Sequence, residues 1–153
     1  VSPAPERRWI RGSDDGSATL EAAILAIVLL LIILLAVAGG RTVLAANAVA
    51  DAAHDASRAA SLQTDPAAAR QAAAKAAQQS LTGNGLQCVA TETITDTSGF
   101  GRPLGQPAHV QATVSCTLSY AQLAALPGIT ATKTLSADFV SPLDQFRIRQ
   151  GNP

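Results

Sequence analysis

The chain has 153 residues, enough for one small domain, and a long apolar run takes part of that length. Its 11 Lys and Arg balance 11 Asp and Glu, so neither a basic field for nucleic acid nor an acidic tail is present. Aromatics make up 3%, which argues against base-stacking platforms and an aromatic-rich core. The soluble part must be held by small-residue helix packing, a little sheet, and at most one covalent staple, since Cys88 and Cys116 are the only cysteines.

The N-terminal stretch 1–16 is a basic leader carrying Arg7, Arg8 and Arg11. A transmembrane helix is expected over 17–40, because Ala22 to Ala38 holds no charged or polar residue. At ~1.5 Å rise per residue such a helix spans a hydrocarbon core of ~30 Å. The leader arginines favour an N-terminus inside and an extracytoplasmic C-terminus. Met is absent even at position 1, which fits an alternative start or a trimmed chain. A rival reading is a cleaved export signal. Basic region, apolar region and Ala36-Val37-Ala38 before Gly39 fit small-x-small cleavage after Ala38, and Arg7-Arg8 hints at a twin-arginine signal. Against it, the apolar run exceeds the usual h-region of about 7–15 residues.

Glu21 separates the two readings. An acid at the centre of a membrane helix costs about 2.5–3.5 kcal/mol on insertion scales, and less near the interface. Membrane acids usually have a partner. If the chain is cut between Gly16 and Ser17, the new amine at Ser17 lies four residues before Glu21 on one helix face. The two can then pair within a chain or between neighbours. The acid is also expected in the first helical turn, where the macrodipole favours it. Gly16 followed by Ser17-Ala-Thr-Leu-Glu21 and an apolar helix resembles the class III signal of type IV pilins and pseudopilins. The longer stretch ATLEAAILAIVLLLIILLAVAGGRTVLAANAVADAAHDASRAAS resembles the TadE-like proteins of tight-adherence (Tad, or Flp) pilus systems. The resemblance implies removal of the leader by a prepilin peptidase after Gly16, with Glu21 as the family's fifth-position acid. It further implies other pilins or pseudopilins and the Tad secretion machinery as partners, at the cytoplasmic membrane, the cell surface or a pilus. Ala22 stands where Flp-type pilins carry Tyr, which favours a minor pilin over the major one. Ile27 stands where many relatives have Pro.

Beyond the membrane, 41–82 is expected to be Ala-rich helix. Asn47, Asp51, Asp55 and Arg58 recur at three or four residues, a polar stripe at helical spacing. Asp51 and Asp55 repel mildly, and an Asp55–Arg58 pair would offset this. The first helix is expected over about 18–62. Asp65 then caps a second helix, with Pro66 at its first position, running to about Leu81. Gly83-Asn84-Gly85 ends it. The segment 83–142 is expected to be a small β-rich head. Alternation predicts strands at Leu86–Thr95, His109–Ser119 and Ile129–Val140, with a helical turn from Tyr120 to Gly128 between the last two. In the second strand Val110, Ala112, Val114, Cys116 and Leu118 share one face. Pairing the first two strands about Arg102 sets Cys88 opposite Cys116, a register suited to a disulfide that an extracytoplasmic compartment permits. A polar tail, 143–153, is expected to fray. The fold class is therefore α+β: a long membrane helix continuing outside, a second helix, and about three antiparallel strands.

No catalytic motif is found. There is no Gly-x-Ser-x-Gly elbow, P-loop or Gly-x-Gly-x-x-Gly. His54 and His109 are isolated, and two distant cysteines have no zinc spacing. The sequence therefore points to a structural protein that is an enzyme's substrate, with no cofactor, metal, small-molecule substrate or nucleic acid expected. The alternative is a secreted or single-pass anchored binding protein, cut after Ala38 or not at all.

Overall fold

The computed structural model describes residues 15–121 and 131–148, with side chains from Thr19 onward. The chain divides into two compact units, Val1–Ala36 and Val37–Pro153. Helix α1 (Asp15–Ser61) belongs to both. The second unit adds helix α2 (Pro66–Gly83) and strands β1 (Ala90–Asp96), β2 (His109–Ser119) and β3 (Thr132–Pro142). The strands form an antiparallel meander with β2 in the centre. The protein is α+β.

The core of the second unit is made of small residues on one face of each element. Along α1 the buried positions are Ala45, Ala48, Val49, Ala52, Ala53, Ala56, Ser57 and Ala60. That is an unbroken three-and-four spacing, and Asn47, Asp51, Asp55 and Arg58 lie exposed beside it. Helix α2 adds Ala69, Ala73, Ala77 and Leu81, one residue per turn. The sheet closes the core with the inward face of β2, from Val110 to Leu118. Alanine fits because its methyl group lets a helix backbone lie close to the sheet, and because it is the best helix former.

Both ends of α2 are built by local chemistry. Asp65 is its N-cap, accepting a 2.7 Å hydrogen bond from the Ala68 amide, with Pro66 next. At the other end Gly85 is left-handed, φ +73°. The Leu86 amide donates to the Leu81 carbonyl, and the Gly85 amide to Thr82. This paired closure also brings Leu86 against the core beside Leu81.

That closure corrects the expected first strand. Leu86 and Cys88 are turned toward the core, and the ladder begins only at Ala90. The register shifts with it: Cys116 pairs with Thr91 rather than lying opposite Cys88, and Asp96 pairs with Gln111. The hairpin thus centres between Pro103 and Leu104, not on Arg102. The loop's first arm is taken up by a 3-10 turn, Ser98–Gly101, which seats Phe100 in the core. A Cβ on Gly99 would run into the His109 carbonyl oxygen, so only glycine lets the turn lie this close to β2.

Other expectations shift in smaller ways. Asp55 lies 3.5 Å from His54 rather than pairing with Arg58. The ring of His54 meets Phe139 edge-on at 4.6 Å. Strand β3 continues to Pro142, while the helical turn expected from Tyr120 to Gly128 falls outside the described residues from 122 onward, as does the start of the third strand expected at Ile129. The ordered head also runs past Pro142. The Leu143 amide donates to Ala108, the Gly105 amide to Gln145, and the Arg147 guanidinium to the Leu62 carbonyl at 2.8 Å. Within the expected tail, Leu143 is therefore buried and Leu143 to Arg147 are held.

Candidate membrane and assembly site

In the first unit, the large apolar side chains from Leu20 to Leu35 are all exposed. The most apolar 18-residue window of the helix has a mean hydropathy of 3.2, and none of it is buried. A soluble helix with that surface would be an aggregation site. A bilayer is the solvent that suits it. Glu21 lies exposed at the start of this surface. Helix α1 begins at Asp15, so Glu21 falls in the second turn and not the first. The macrodipole acts mainly over the first turn, so it accounts for less of this acid than the sequence suggested. Gly16 and Ser17 lie at the helix start, and the Ser17 side chain falls outside the described residues, as do residues 1–14 of the expected leader.

In the second unit, Cys88 and Cys116 are bonded, with a Cα separation of 5.4 Å. The bond ties the turn after α2 to the centre of the sheet. The same turn forms one wall of an open groove of about 620 Å³. Asn84, Gly85, Leu86 and Gln87 make that wall, Leu118 lies at the end of β2, and α1 supplies Arg41 to Asp51. Sequence reasoning missed this groove. Its wall looked like the start of a strand, and its signal was the Gly85 turn followed directly by Leu86.

The Asp96 carboxyl is held below its ordinary range, first by the Ser98 backbone amide, then by the Ser98 side chain, with a smaller contribution from His109. This is an Asx turn stabilising a loop, not a reactive acid. His54 and His109 are not brought together, and among the described residues no group of three His, Cys, Asp or Glu side chains could hold a metal.

An exposed apolar helix opening with a carboxylate, and passing into an alanine-striped helix, is the arrangement against which known families can be compared. Residues 16–58 match the family model of the TadE-like proteins. This segment is similar to the TadE-like proteins. It begins at Gly16 and ends at Arg58, so it takes in the apolar half of α1, Glu21 and most of the alanine stripe. It is under half of the chain, and α2, the sheet and the disulfide lie beyond it. No curated protein and no solved structure matches the chain. The matched segment includes the one described helix long and apolar enough to cross a membrane once.

Proposed function

We propose that the protein is a structural, non-enzymatic minor pilin or pseudopilin of a Tad pilus assembly system. A prepilin peptidase cuts it after Gly16, and it is then held in the cytoplasmic membrane with its head extracytoplasmic. One observation carries this reading: the TadE-like match covers the apolar, exposed half of α1 together with Glu21. Glu21 has no ion-pair partner among the described residues, which leaves its carboxylate open to a partner that processing or assembly would bring. The amine freed at Ser17, on the same chain or a neighbour, is the group that processing would supply. In this role Glu21 sets the register between subunits as they leave the bilayer. Partners are the peptidase, other pilins or pseudopilins, and the secretion machinery.

The test is the N-terminal residue of the mature protein, read by mass spectrometry of membrane and shed fractions. A start at Ser17 is expected. Glu21→Ala should then leave processing intact and reduce piliation seen by electron microscopy, and normal piliation would remove the acid's role.

One observation favours the second reading, an exported or anchored binding protein. The second unit begins at Val37, and its core residues begin at Ala45. Cleavage after Ala38 would leave that core whole. A mature start at Gly39 would therefore replace the pilin reading with this one.

A further inference from the structure

The head carries two exposed apolar surfaces at opposite ends of β2. One is the groove between α1 and the turn after α2. Its apolar lining is Leu44, Ala45, Ala48 and Leu118, and Arg41 and Asp51 line it as charged groups. Neither of these charges pairs with another described residue. The other surface lies where β2 begins, around the segment after β3. There Phe146 is 87% exposed, Ile148 78% and Leu62 60%.

This second surface is not a loose end. Leu143 is buried, and its amide is bonded to Ala108. Asp144 accepts from the Phe146 amide at 2.9 Å. Gln145 accepts from the Gly105 amide, and Arg147 reaches the Leu62 carbonyl. A turn fixed this thoroughly holds a phenylalanine out into water. The chain has only 3 Phe, of which Phe100 fills the core and Phe139 packs on His54. Placing the third in solvent, next to another exposed apolar side chain, marks an interaction surface.

We infer that the two surfaces fit each other in successive copies of this chain, with the Phe146 turn of one head seated in the groove of the next. The groove is concave and apolar, with charged groups in its lining. The turn is convex and apolar with Arg147 beside its phenylalanine, which gives the unpaired Asp51 a counter-charge. The two lie about 30 Å apart along β2, nine steps of ~3.3 Å from His109 to Leu118. A contact between different surfaces at opposite ends is heterologous. If its rotation does not close a ring it propagates as a filament. The inference rests on the head alone and stands whether or not the chain is cut after Gly16.

The test uses the full chain, uncut, in detergent micelles, with association followed by sedimentation velocity. Phe146→Asp spoils the turn and leaves the groove. Leu44→Asp spoils the groove and leaves the turn, at a side chain that is 68% exposed. Both sites are on the surface, and circular dichroism together with an intact disulfide shows that each variant is folded. Wild type should form a concentration-dependent series of oligomers. Each variant alone should associate about 30-fold more weakly or worse, the loss of an aromatic anchor. An equal mixture of the two should form pairs and nothing larger, because one good turn meets one good groove. If both variants associate like wild type, the membrane helices or the detergent are responsible and the inference is overturned. It is equally overturned if mixing restores nothing, as for a symmetric contact, or if wild type is monomeric throughout.

Discussion

Helix α1 is one run of hydrogen-bonded backbone with two different surfaces. From Leu20 to Leu35 its side chains are large, branched and exposed, while from Ala45 to Ala60 they are small and buried. Hydrophobicity alone would rank these halves the wrong way round for a protein folding in water. The first half depends on bulk facing lipid, and association there gains little from burying area. The second half depends on the absence of bulk, because its small side chains share one core with those of α2 and β2. The comparison shows that side-chain size relative to the neighbour decides each half's role.

The sharpest way to break the comparison is to remove the staple. A core of alanines buries little area per residue, at roughly 25 cal/mol per Å², so the head depends on Cys88–Cys116. The bond closes a separation of 28 residues, worth about 3–4 kcal/mol in the chain-entropy model. Replacing both cysteines by serine should lower the head's unfolding free energy by that amount in a urea titration. Helicity of the apolar half in micelles should not change. An unmoved urea midpoint would mean that the alanine core suffices alone.

Next in size is a swap of surfaces. Ala56 is fully buried, and Ala56→Leu should cost about 1–3 kcal/mol by overpacking. The opposite change, Leu31→Ala in the apolar half, should leave head unfolding within about 0.5 kcal/mol of wild type and weaken membrane insertion instead. If Ala56→Leu is neutral by the same urea titration, the stripe is not closely packed and the contrast between the halves fails.

Much of this was legible in the sequence because the signals are local. The apolar run, the polar stripe on α1, the Asp65-Pro66 start and the alternation in β2 each belong to one element, and each can be placed from its own consecutive residues. Register and burial partners were not legible, because they depend on how elements meet. The Schellman closure at Gly85 turns Leu86 inward and delays β1, and Phe100 takes residues out of the hairpin. Together they move the pairing of Cys116 to Thr91, yet Cys88 still reaches it from outside the strand. The groove and the Phe146 turn went unseen for the same reason. One is assembled from three separate elements, and the other sits in a segment whose polar composition suggested fraying.

A smaller effect tests whether the helix pair acts as a unit. Asp65→Ala removes the side-chain acceptor for the Ala68 amide and should cost about 1 kcal/mol. Asp65→Asn should restore most of it. If the second unit is one cooperative body, the loss appears in its global unfolding by urea. If instead only the amides of α2 exchange faster with deuterium, the helix opens by itself, and the head is less unified than its shared core implies.

The smallest effect lies where one surface gives way to the other. Gly39 and Gly40 sit within α1, and a Cβ on either would meet nothing within 4 Å. Packing in the described structure therefore does not require them, and in a helix each costs about 0.5–1 kcal/mol relative to alanine. Thr42, just beyond, donates its hydroxyl to the Ala38 carbonyl at 2.9 Å, bridging the same turn. Gly40→Ala should slow amide exchange around the pair about 2–5-fold, the same free energy expressed as a rate, if the helix opens there locally. With the helix stiffened, urea unfolding of the head and insertion of the apolar half should both stay as they were, since neither depends on this turn. Unchanged exchange would mean that the turn does not open by itself, leaving the two halves of α1 distinguished by their side chains alone.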